Sequence, residues 1–167
     1  YNSDVEEIEK EMSEVKWDIS AAEKSGYEHF MLKEIYEQPK ALRDTISPRV
    51  KNGEIVIDEL TMTEEDIKNI KKIFIVACGS AYHAGVNGKY VIEGAARIPV
   101  EVDLASEFRY RNPILEEGTL VIIISQSGET ADSIAALREA KSRGIKVLGI
   151  VNVVGSTIAR ESDNVMY

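Results

Sequence analysis

The stretch TLVIIISQSGETADSIAALREAKSRG, residues 119–144, decides the fold. Residues 119–124 form an apolar run without alternation, as in a strand buried on both faces of a parallel sheet. Ser125 to Thr130 are polar and turn-forming around Gly128. Helical spacing then predicts a helix over 130–143, closed by Gly144 as a C-cap. Strand, polar turn and helix in this order are one half of a parallel strand–helix–strand unit.

The same grammar recurs from Thr61 onward. Strands are expected at KIFIVA (72–77), PVEVDLA (99–105) and IKVLGIV (145–151), with a short fifth at NVMY (164–167). A helix is expected at about 81–96 and a helical turn over ASEFRYR (105–111), and Thr63 is placed as the N-cap of TEEDIKNI. This alternation predicts an α/β three-layer sandwich around a five-stranded parallel sheet. We expect the doubly wound, flavodoxin-like strand order 2-1-3-4-5.

Upstream of the α/β domain (61–167), the chain changes character. Residues 1–20 are acidic, with Val5, Ile8, Met12, Val15 and Trp17 roughly alternating. A frayed hairpin and an interdomain linker both fit that pattern. Residues 21–60 read as a helical arm in which Phe30, Leu32, Ile35 and Tyr36 recur at near-helical spacing. Pro39 is expected to divide the arm into two helical pieces, followed by a loop around Ser47-Pro48 and Asn52-Gly53. Tyr1 at the first position and the strand-like 164–167 lead us to expect a piece of a longer polypeptide.

Composition narrows the function classes. With 167 residues, 44% of them hydrophobic, the chain can build one domain with a core. A formal net charge of −9 argues against nucleic acid, which needs a clustered basic surface. No apolar run approaches the ~20 residues of a membrane span, and no signal peptide is recognisable. A single cysteine cannot form an internal disulfide and fits a cytoplasmic location.

Two strand-to-helix turns carry the chemistry: Cys78-Gly79-Ser80, and Ser125-Gln126-Ser127-Gly128-Glu129-Thr130. In the expected strand order they flank the switch point where such sheets bind ligands. Helix N-termini present unpaired N–H groups and a positive dipole end, which suits a phosphate. Ser125, Ser127 and Thr130 add hydroxyls, Gln126 an amide, and Gly128 allows close approach. Glu129 would repel a phosphate, so its side chain should point away.

A serine or threonine before a helix is most simply a cap, contributing about 1 kcal/mol. Four polar donors beside one glycine exceed what a cap requires. The turn is no nucleotide P-loop, because Gly-x4-Gly-Lys is missing, and no GxGxxG marks a dinucleotide. Cys78 is most simply a small residue closing a buried strand. His29 and His83 lack metal-ligand partners at useful spacing, and no metal or cofactor is expected. Arg109 and Arg111 fit either anion steering or a solvated or interface role.

CGSAYHAG (78–85), SEFRYR (106–111), SQSGETADS (125–133) and NVVGSTIARESD (152–163) together carry a resemblance. They resemble the first sugar-isomerase (SIS) domain of the glutamine:fructose-6-phosphate aminotransferase family. YEHFMLKEIYEQP (27–39) is similar to the segment that joins that family's glutaminase and isomerase halves. The resemblance implies that Ser125, Gln126, Ser127 and Thr130 hold the phosphate of fructose 6-phosphate. It places Cys78, Gly79 and Ser80 against the sugar. Family members often carry Thr-Ser after the Cys-Gly. Here the pair is Ser80-Ala81, and Ala81 cannot donate.

The resemblance also implies the reaction, glucosamine 6-phosphate from fructose 6-phosphate and glutamine, and a homodimer. Its catalytic cysteine, glutamate, histidine and Schiff-base lysine find no counterparts in these residues, so no catalytic group is expected here. A glutaminase domain and a second SIS domain would complete the enzyme. Two alternatives stand beside it: an SIS-domain sugar-phosphate sensor in a regulator, and another sugar-phosphate isomerase. A regulator should bring a basic DNA-binding element, whereas the upstream residues are acidic.

Overall fold

The computed structural model describes residues 7, 23–58 and 60–167. The expected linker over 1–20, Trp17 included, lies outside these apart from Glu7. Two compact units meet between Pro48 and Arg49.

The first unit contains helix α1 (Phe30–Ile46), which runs 17 residues with Pro39 inside it. The expected division at Pro39 is therefore wrong. Proline removes one N–H and crowds the carbonyl four residues back. Here good helix formers flank it on both sides, and Lys40 pairs with Asp44 at 2.5 Å one turn on. Lys33 is the buried residue of this helix, its Nζ donating to Glu23 O at 2.5 Å.

The second unit opens with a hairpin, β1 (Val50–Lys51) and β2 (Glu54–Ile55), paired antiparallel with Lys51 opposite Glu54. The expected loop at Asn52-Gly53 is its two-residue turn, with φ of 54° and 82°. Two successive positive φ values match the right-handed twist of the flanking strands, and Asn-Gly adopts them readily.

The domain then follows in order: α2 (Glu64–Lys68), β3 (Lys72–Ala77), α3 (Ser80–Ala96), β4 (Val100–Leu104) and α4 (Ala105–Tyr110). After these come β5 (Thr119–Ser125), α5 (Ala131–Ser142), β6 (Lys146–Val151), α6 (Thr157–Glu161) and β7 (Asn164–Met166). The five-stranded sheet has the order β4-β3-β5-β6-β7, and every neighbouring pair is parallel. Numbered within the sheet, this is the expected 2-1-3-4-5. Short α6 had no counterpart among the expected helices.

Alternate residues of each strand serve two cores, as the period of two requires. Phe74, Val76, Val121, Ile123 and Val147 pack with Phe108, Leu137 and Ile158 of α4, α5 and α6. Phe74 and Phe108 meet edge to face, ring centroids 5.6 Å apart. Ile73, Ile75, Leu120, Ile122 and Leu148 face the other way, towards Leu60, Met62, Ile70 and Ile92. Burying each large side chain contributes roughly 1.5–3 kcal/mol, so the continuous apolar strands anchor both layers. Helix α5 ends as expected at Gly144, whose N–H donates to Lys141 O at 2.9 Å while Ile145 N–H reaches Ala140 O at 3.1 Å. Among the described residues no helix is long and apolar enough to cross a membrane.

Candidate functional site

β3 and β5 lie side by side with Ala77 opposite Ile124, so the turns that follow them leave the sheet at the same height. Their helices then part: α3 packs on the Ile75 side, α5 on the Val121 and Ile123 side. That divergence opens the crevice expected at a switch point. Cys78 Sγ, just past the end of β3, lies 3.9 Å from the buried Ser133 Oγ in the first turn of α5.

The 125–130 turn is built by its own side chains. Ser125 is buried at the strand end, and its Oγ accepts the Gly128 N–H at 3.0 Å. The same Oγ lies 3.4 Å from Thr130 Oγ1. Ser127 Oγ accepts the Glu129 N–H at 3.2 Å, and the Gln126 and Ser127 side chains are exposed. Gly128 has φ +66°, and a Cβ there would lie 2.5 Å from Ser156 Cβ. Only glycine fits both the conformation and the space.

Helix starts distinguish a cap from a cradle. Thr130 is the N-cap of α5 yet makes no side-chain cap bond, and Gly79 opens α3 without one. Gly79 has φ 59° and ψ −136°, a region open to glycine alone. The first N–H groups of both helices have no partner within the helix, and their dipoles favour an anion. Ser80 is exposed as the first residue of α3.

Glu129 turns to the neighbouring loop. Its Oε1 accepts the Thr157 N–H at 2.7 Å, which with the Thr157 hydroxyl holds the carboxyl below its usual range. Gly128 O accepts the Ile158 N–H at 3.0 Å, and Gln126 O the Asn152 N–H at 3.3 Å. These bonds join the turn to residues 152–158, a linkage no spacing rule exposes.

The two arginines considered for anion steering are paired with carboxylates of the chain. Arg109 Nη1 meets Asp132 Oδ1 at 3.2 Å, tying α4 to α5. Arg111 bonds Asp103 Oδ2 and Glu101 Oε1, each at 2.5 Å. His83 is exposed and stands edge-on to Tyr82, ring centroids 5.5 Å apart. His29 lies in the first unit, 3.5 Å from Glu28.

Residues 66–167 match the model of the SIS domain. The chain belongs to the SIS domain family. Its whole length is 63% identical over 168 residues to a glutamine–fructose-6-phosphate aminotransferase of Clostridium acetobutylicum, spanning 28% of that relative. Over 161 residues it is 65% identical to the enzyme of the same name from Caldanaerobacter subterraneus subsp. tengcongensis, spanning 26% of it. The SIS fold also aligns with the C-terminal domain of glucosamine-fructose-6-phosphate aminotransferase from Francisella tularensis. That match has a TM-score of 0.79 at 46% identity, covering 86% of this chain and 40% of the other. The chain thus spans little more than a quarter of the curated relatives it matches.

Proposed function

We propose that this SIS domain is the sugar-phosphate-holding part of the isomerase half of a glutamine:fructose-6-phosphate aminotransferase. In this reading the 125–130 turn receives the phosphate of fructose 6-phosphate or glucosamine 6-phosphate. Ser125, Gln126, Ser127 and Thr130 surround it, while Cys78, Gly79 and Ser80 lie against the sugar. The observation that carries the reading is the start of α5, where Thr130 makes no cap bond. N–H groups at a helix start and hydroxyls in one concave turn bind a dianion through charge-assisted hydrogen bonds. A glutaminase domain and a second SIS domain complete the enzyme, a cytoplasmic homodimer with 1–20 as linker and 21–60 as arm.

The chain's own groups bind and orient; proton transfer and amination fall to the other domains. Holding the phosphate fixes one end of the substrate, so remote binding energy positions the reacting carbons for those catalysts. Calorimetric titration of the chain with fructose 6-phosphate, set against fructose, tests the reading. Saturable binding that requires the phosphate is the expected result. Equal binding of both sugars, or of neither, overturns it. An enolisation assay on the chain alone should show no turnover.

A further inference from the structure

A carboxylate is an odd member of a turn that receives a phosphate, and the structure gives Glu129 a specific occupation. We infer that Glu129 is a positioning residue for this turn. By accepting the Thr157 N–H it fastens residues 125–130 to the start of α6 and keeps its own charge off the anion. The inference rests on the phosphate reading of the turn.

Helix α6 has five residues, and its N-cap Ser156 makes no side-chain cap bond. The acceptors its first N–H groups need come instead from the neighbouring turn: Glu129 Oε1 for Thr157 at 2.7 Å, and Gly128 O for Ile158 at 3.0 Å. The dependence runs both ways. Gly128 rests against Ser156 with no room for a Cβ, so the turn takes its place from α6. With both bonds made, the turn is held in one conformation before a ligand arrives, which lowers the ordering cost of binding.

Charge and fastening predict opposite signs, which makes the inference testable. If Glu129 acted only through its charge, removing it would strengthen phosphate binding. If it fastens the turn, removing it weakens binding despite the lost repulsion. Fructose 6-phosphate is therefore titrated into the 167-residue chain and its variants. Glu129→Ala should lower affinity at least tenfold. Glu129→Gln keeps an acceptor oxygen and should bind within about threefold of the unmodified chain. Amide hydrogen exchange at Thr157 should accelerate in the alanine variant alone.

Thr157→Pro supplies a second route. Thr157 is the first residue of α6, where proline is accepted, and Ser156 before it is extended (φ −63°, ψ 164°). This change deletes the donor and, unlike Glu129→Ala, keeps the Glu129 charge beside the turn, so it should weaken binding more than Glu129→Ala. Unchanged or tighter binding by Glu129→Ala, or unchanged binding by Thr157→Pro, overturns the inference. Failure of the unmodified chain to bind overturns the phosphate reading instead.

Discussion

The two ends of the sheet treat their polar groups differently. At the amino end, Thr63 starts the short α2 with a full capping box: its hydroxyl accepts the Asp66 N–H at 3.1 Å, and Asp66 Oδ2 accepts the Thr63 N–H at 2.9 Å. Asp66 also pairs with Lys146. A cleft of about 410 Å³ opens there beside Asp66, Lys71, Glu117 and Lys146. At the carboxyl end, α3 and α5 are the longer helices, yet neither start is capped by a side chain, although Ser80, Ser127 and Thr130 are at hand. The amino end uses its hydroxyl to cap a helix; the carboxyl end uses its hydroxyls within the 125–130 turn and leaves both helix starts without a side-chain cap. Volume marks one end and uncapped helix starts mark the other, and our proposal puts the phosphate at the uncapped starts.

The largest expected effect breaks the carboxyl end alone. Ser127→Ala combined with Thr130→Ala should lower fructose 6-phosphate affinity at least a hundredfold, since each hydrogen bond to a charged group contributes roughly 1.5–3 kcal/mol. Its stability in urea should fall by no more than about 1 kcal/mol, because neither hydroxyl caps α5 and the losses are the exposed Ser127 bond to the Glu129 N–H and the long Thr130 contact to Ser125. Gly128→Val should cost roughly 2–3 kcal/mol by chemical denaturation, through overpacking against Ser156. The amino end should answer in the opposite sense. Thr63→Ala should cost about 1 kcal/mol of stability and leave affinity unchanged.

Acid sharpens the contrast further. Lys146 first, then the Thr63 N–H and hydroxyl, hold the Asp66 carboxyl down to about 2 from 3.8. The unfolded chain therefore binds a proton that the folded chain refuses. Stability from this group is fully present above 3.8 and is lost as pH falls towards 2. Asp66→Asn should flatten that part of a denaturation-against-pH profile. The smallest effect belongs to Ser156→Ala. Its Oγ is buried without a hydrogen-bond partner among the described residues, so the change should shift stability by less than about 0.5 kcal/mol.

How much of this was legible in sequence depended on range. Strands β3, β5 and β6 are continuous Val/Ile runs because both faces are buried, and such runs declare themselves locally. The Asn52-Gly53 hairpin was equally local, and its turn dipeptide was the signal that could have found it. Pro39 misled because a breaker rule weighs one residue, whereas the helix sums seventeen. Thr63 and Thr130 look alike in sequence, each a hydroxyl before a helix. Only coordinates show that the first caps and the second does not. The pairings Glu129 to Thr157 and Arg109 to Asp132 join residues 28 and 23 positions apart, beyond any local periodicity. The contacts of Ser133 with Cys78 and of Ser156 with Gly128 span 55 and 28 positions and lie beyond local reading for the same reason.

Amide chemical shifts, followed during a fructose 6-phosphate titration of the chain, test the contrast most directly. Our account predicts saturable shifts at Ser127 to Asp132 and at Gly79 and Ser80. Thr63, Asp66 and Lys146 should stay still. Shifts centred on the amino-end cleft, or none at the 125–130 turn, would contradict it.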